Sequence, residues 1–265
     1  MSLGIVIKGP EGLVLAAESR ITLTAQIADK KTIAVNFDNA TKLLSFSDPN
    51  CAVGVVTYGL AALGLRPAHS FIPEFEKKLK EENEGRLSVK TFADKLSVFF
   101  MDQWKSEMPE DYNGPSMTFV VAGYDEGAAY GSIYLIEIPH NEKPQEQHVN
   151  DGSFGITWGG QREFVDRLLR GYDGRLKEFL ISQDIEIEGL DDFLFNLQMK
   201  IPLEAMPLQD CVDLAIFFVR TTIDAQNLTL GIRGCGGHID VATITRNGLD
   251  FVQRKEIVGE DKSKR

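Results

Sequence analysis

The chain has 265 residues, 43% of them hydrophobic, so it can bury a substantial core. Its formal net charge of -11 counts against nucleic acid and against anionic membrane surfaces, both of which repel an acidic protein. The three cysteines, Cys51, Cys211 and Cys235, are odd in number and widely spaced, which gives neither a disulfide framework nor a zinc motif.

In chain order, the first signals are two apolar runs, residues 3–8 and 13–17, joined by Gly9-Pro10-Glu11-Gly12. The joint is a strong turn signal. Runs with almost no polar alternation predict strands covered on both faces. Further apolar groups follow at 42–46 and 51–57. The period then lengthens: over 70–82 and 89–106 apolar residues recur every three or four positions, which predicts two helices. In the second, Phe92, Leu96, Phe99, Phe100 and Trp104 share one face. Strands are predicted at 117–122 and 130–138, then a polar stretch at 139–152. FGITWGG precedes a helix near 161–181 with Phe164, Leu168 and Leu169 on its apolar face. Residues 182–206 read as an insertion holding a short helix, and 208–226 as another helix. The last strands, 238–246 and 249–254, meet across Asn247-Gly248, a strong hairpin signal. The charged tail, about 256–265, reads as frayed.

Strand hairpins alternating with helix pairs predict an α+β fold, a four-layer αββα sandwich of two antiparallel sheets flanked by helix pairs. The expectation is one domain over 1–265 that carries the insertion and the tail. No stretch approaches the roughly 18 apolar residues of a membrane span, and no signal-peptide pattern opens the chain, so a cytoplasmic location is expected.

Several stretches together resemble the proteasome α/β-subunit family of N-terminal-nucleophile hydrolases. LGIVIKGPEGLVLAAESRIT resembles the family's opening hairpin, ATKLLSF its lysine-bearing strand, and VVAGYDE its G-G-Y-D-E turn. GCGGHIDVATITRNGLDF resembles its C-terminal hairpin. The helical extension of α-type subunits is absent, and on that point the chain is β-like. The resemblance implies an amidohydrolase or peptidase acting on a peptide or protein substrate, without cofactor or metal. It also implies self-association into rings, with the helices near 70–82 and 89–106 as ring contacts.

In catalytic members an N-terminal threonine attacks the peptide carbonyl and its own α-amine serves as base. By this resemblance Ser2, exposed by removal of Met1, takes the nucleophile's place. Glu18 stands for the family aspartate, sixteen positions on, and Lys42 for the family lysine. Arg20 matches the family's arginine. Aligned from the turn onward, Ser2 occupies the nucleophile position. Aligned on Gly4, Ser2 falls two residues downstream of it and the nucleophile is missing. Three supporting polar groups are replaced, by Trp158, Ile232 and Cys235. Gly159 and Gly160 are expected to keep a flexible loop.

Those replacements support an alternative, a catalytically silent structural subunit, in which Lys42 and Glu18 are a structural ion pair. A transferase or ligase using the same acyl-enzyme chemistry is a third reading. Cys235 and His238 offer a Cys/His pair, against the plainer reading of Cys235 as a small buried filler. Gly234, Gly236 and Gly237 precede a strand rather than a helix, so they form no phosphate loop. His69, His140 and His148 are scattered without ligand spacing.

Overall fold

The structure is a computed structural model that describes residues 2–27, 31–82, 84–149, 152–231, 233–257 and 259. Strands β1 (Leu3–Lys8) and β2 (Leu13–Glu18) form the predicted hairpin, closed by the Gly9 N–H donating to the Gly12 carbonyl at 2.9 Å. Next come β3 (Ile21–Ile27), β4 (Lys31–Phe37), β5 (Leu43–Ser45) and β6 (Val53–Gly59). A small hairpin of β7 (Ala62–Leu63) and β8 (Arg66–Pro67) leads to helices α1 (Ile72–Glu81) and α2 (Val89–Glu107). Then follow β9 (Met117–Gly123), β10 (Ser132–Ile138), β11 (Asn141–Gln147) and β12 (Gly155–Gly160). The chain continues with α3 (Glu163–Arg170), α4 (Gly174–Ser182), α5 (Leu190–Asn196) and α6 (Leu208–Leu228), and ends in β13 (Ile239–Thr245) and β14 (Gly248–Gln253).

Two antiparallel five-stranded sheets organise these elements, in the orders β12-β1-β2-β13-β14 and β11-β10-β9-β6-β5. Alternation along each strand sends neighbouring side chains to opposite faces. Leu3, Ile5 and Ile7 therefore join a core with Val165, Ala215 and Phe218 of α3 and α6. Val6, Leu13 and Leu15 join a different core with Val56, Val120 and Ile133 of the other sheet. A third core sets Phe92, Leu96 and Phe100 of α2 against Val55, Phe119 and Ile136. This is the physical reason for the unbroken apolar runs: both faces of β1 and β2 are covered, and all their residues are buried. Each large apolar side chain so buried contributes about 1.5–3 kcal/mol.

The predicted apolar face of α2 is buried as expected, and Ser88 caps the helix by accepting from the Thr91 N–H at 3.1 Å. The chain departs from the sequence pattern in four places. The helix near 161–181 is two helices, because Gly171 takes φ +81 and its N–H closes α3 on the Arg167 carbonyl at 3.0 Å. Within α3, Val165 is the fully buried residue, whereas Phe164 is half-buried beside the Arg167 guanidinium. The polar stretch 139–152 contains β11, an edge strand whose mostly exposed side chains carry no apolar alternation. Strands β3 and β4 pair as a separate hairpin that the sequence pattern does not announce. The last hairpin turns one residue early, with Thr245 opposite Gly248.

Candidate functional site

Ser2 stands at the entry to β1 and is 3% exposed. It lines a narrow pocket with Lys42, Thr41, Thr57 and Tyr58, with room for about 20 Å³, little more than one water. Alternation explains its direction: Leu3 faces the helices, so Ser2 faces the second sheet, from which Thr57 and Tyr58 arrive on β6. Burial pushes the Tyr58 phenol far above its usual range, so it stays protonated.

The peptide unit that follows Ser2 is held at both ends. The Ser2 carbonyl accepts from the Gln161 N–H at 2.6 Å. The Leu3 N–H donates to Glu18 Oε1 at 3.2 Å. The register that pairs Gly4 with Ala17 brings Leu3 to Glu18, the last residue of β2.

Glu18 is fully buried and takes two donors on each oxygen. Its Oε1 receives Leu3 N–H and the Lys42 ammonium. Its Oε2 receives the Arg20 N–H at 2.8 Å and the Gly236 N–H at 3.1 Å. Lys42 also donates to the Arg20 carbonyl. Two buried opposite charges in contact, each with further hydrogen bonds, offset the cost of leaving water. Beside them the Arg20 guanidinium pairs with Asp38, Nε to Oδ1 at 2.5 Å and Nη2 to Oδ2 at 2.8 Å.

Behind this group runs a link of amides absent from the sequence reading. Gln226 of α6 is buried and donates from Nε2 to Gln161 Oε1 at 2.9 Å. Its own Oε1 accepts from the Cys235 N–H at 2.8 Å. The available sequence signal is a four-residue spacing, Phe218, Thr222 and Gln226, which puts an amide on the buried face of α6.

Ser2, Glu18 and Lys42 are thus brought together, with Arg20 beside them. The positions of the replaced supports behave differently. Trp158 faces the helices, where its indole N–H donates to Asp166 Oδ1 at 3.0 Å, on the opposite side of the sheet from Ser2. Gly159 and Gly160 form no flexible loop: they pair with Gly4 and Leu3 as part of β12. Close approach demands glycine there, since a Cβ at 159 would lie 2.3 Å from the Tyr58 ring and one at 160 would lie 1.8 Å from the Ser2 oxygen. Cys235 is a buried filler of the helix-side core, and burial, reinforced by Glu18, pushes its thiol far up. His238 is exposed, so the Cys/His pair does not assemble. Ile232 and Met1 lie outside the described residues. Among the described residues no cluster of His, Cys, Asp or Glu could hold a metal ion. No helix among them is long and apolar enough to cross a membrane.

Two antiparallel sheets with helices packed on them, and a buried lysine–glutamate pair at the head of the first strand, make a mixed α+β molecule. The chain is similar to the solved structure of the Anbu (Gly-1) mutant from Hyphomicrobium sp. strain MC1, at 14% identity and a TM-score of 0.58, over 99% of this chain and 90% of that one. At that identity the likeness speaks for the fold and carries no chemistry. No family model matches the sequence, and no curated protein matches it.

Proposed function

We propose that the chain is a proteasome-like subunit working as an N-terminal-nucleophile peptidase or amidohydrolase, with Ser2 as nucleophile after removal of Met1. The observation that carries this reading is Lys42, whose ammonium is anchored by Glu18 and the Arg20 carbonyl and lines the same pocket as Ser2. An ammonium has three donors. Two are committed to Glu18 and Arg20, and this reading assigns the third to the Ser2 hydroxyl.

In this reading Ser2 Oγ attacks the substrate carbonyl carbon while the Ser2 α-amine, pKa about 8, takes the hydroxyl proton. Lys42 stabilises the oxygen as it gives up that proton. The tetrahedral intermediate collapses with loss of the C–N bond, and the amine passes its proton to the leaving nitrogen. Water, deprotonated by the same amine, then attacks the ester, and the proton returns to Ser2 Oγ as the acid leaves. Glu18 has donors on both oxygens, which suits it to orient Lys42 and the Leu3 amide rather than to take a proton.

The finer architecture belongs to the same proposal. The three apolar cores support a four-layer αββα arrangement, with 182–206 as an insertion in a single domain. The proteasome-like neighbour supports rings, for which α1 and α2 are the candidate contacts.

Treatment with an epoxyketone or β-lactone tests the chemistry. The expected result is one adduct by intact mass, mapped to Ser2 and absent in Ser2→Ala. Retained Met1 or an unmodified Ser2 overturns it. The burial of Ser2, at 3% exposed, favours a second reading, a silent structural subunit. A Ser2 adduct would rule that reading out.

A further inference from the structure

We infer that Gln226 is a positioning residue for Ser2, acting through a closed circuit of hydrogen bonds around the Ser2–Leu3 peptide. This inference rests on the reading of Ser2 as nucleophile.

The circuit begins at the Ser2 carbonyl, held by the Gln161 N–H at 2.6 Å. From the Gln161 side chain it passes to Gln226 at 2.9 Å, and from Gln226 to the Cys235 N–H at 2.8 Å. The next residue, Gly236, gives its N–H to Glu18 Oε2 at 3.1 Å. Glu18 Oε1 closes the circuit on the Leu3 N–H at 3.2 Å. The carbonyl and the N–H of one planar peptide unit are therefore fixed by partners joined to each other behind it. Once that plane is fixed, only rotation about bonds of Ser2 itself remains to place the amine and hydroxyl against Lys42.

Gln226 suits the linking position. It is 4% exposed and uses both ends of its amide. A buried amide with both ends engaged specifies geometry, because either broken bond strands a polar group. The circuit also supplies polar support where the sequence has Trp158 and Cys235, whose side chains join the helix-side core.

The test compares Gln226→Leu and Gln226→Glu with the wild type in two measurements: the rate of β-lactone labelling at Ser2 per folded molecule, and hydrogen exchange at the Leu3 and Gln161 amides. In Gln226→Leu the labelling rate is expected to fall about 10²-fold, the cost of roughly an ångström of misplacement. Both amides should exchange faster while the remaining strand amides do not. In Gln226→Glu a protonated carboxyl reproduces the donor and the acceptor, so its deficit relative to wild type should shrink as pH falls. A purely structural role would change the folded fraction and leave that pH dependence flat. Wild-type labelling with an equal rate in Gln226→Leu overturns the inference. If the wild type is not labelled, the nucleophile reading fails, and unchanged exchange at Leu3 and Gln161 in Gln226→Leu shows separately that the circuit does not hold the peptide.

Discussion

The indole N–H of Trp158 donates to Asp166 Oδ1 at 3.0 Å, and the Arg162 guanidinium grips the same carboxylate at 2.9 Å through Nε. Trp158 therefore belongs to the helix side of its sheet and serves the attachment of α3. Trp158→Phe should lower stability by about 1.5–3 kcal/mol, the worth of one hydrogen bond to a charged group. Labelling at Ser2 should stay within about twofold of the wild type. Denaturant unfolding and the labelling rate check the two halves.

Neighbouring residues at the end of the first hairpin should respond in opposite directions. Glu18→Ala leaves the Lys42 ammonium buried without its carboxylate, which should cost about 3–5 kcal/mol. Ser19 is fully buried, and among the described residues its hydroxyl has no partner. Ser19→Ala should therefore stabilise the fold by about 1 kcal/mol, since it removes an unsatisfied polar atom. Urea midpoints of the two variants decide the matter.

Gly160→Ala should be among the most damaging substitutions of a single methyl. Gly160 has φ +89, and its new Cβ would meet the Ser2 carbonyl oxygen, a backbone atom that cannot swing aside. Strain and clash together should cost at least about 1–3 kcal/mol. Gly85→Ala, with nothing within 4 Å of the added carbon, is the control and should leave the melting temperature unchanged or raise it.

Thiol reactivity should be confined to one cysteine. Cys51 is exposed, whereas Cys211 and Cys235 are buried. Burial pushes the Cys211 thiol up to about 11 and that of Cys235 still higher. Even Cys51 is held above its ordinary value by its hydrogen bond to Asp48. Titration with a disulfide reagent at pH 8 should count one slow thiol in the folded protein and three in denaturant.

Acid should weaken the fold through His148. Its ring is desolvated and lies near Lys8, so its pKa falls below the ordinary 6.5. The unfolded chain then binds a proton that the folded chain resists, and stability is lost as pH drops through 6.5. His69 titrates in the same direction, from burial and the charge of Lys255. His148→Asn keeps a polar side chain that tolerates the φ of 53 at this position. It should flatten the loss of stability as the pH falls below about 6.5, measured by urea unfolding at a series of pH values.

The first hairpin was legible because Gly9-Pro10-Glu11-Gly12 punctuates two runs buried on both faces. Helix α2 was legible because its period places Phe92, Leu96 and Phe100 on one side. Strand β11 was hidden, since Asn141–Gln147 lies at a sheet edge and needs no apolar face. Family resemblance singled out Glu18 and Lys42, and the structure pairs their side chains. No motif could carry Gln161 and Gln226, two amides 65 positions apart whose pairing exists only once α6 lies on the first sheet. Trp158 shows the reverse: its motif position suggested the nucleophile's neighbourhood, and the alternation of β12 turned it to the other face.

Ser2 is 3% exposed, and Leu3, directly after it, is wholly enclosed. An aminopeptidase must draw several residues of loose chain into its own cleft. The folded molecule presents it with a first strand already docked between two cores, so the residues of β1 are closed to it. An aminopeptidase should therefore leave β1 intact in the folded protein and shorten it only once the strand has been drawn out of its sheet.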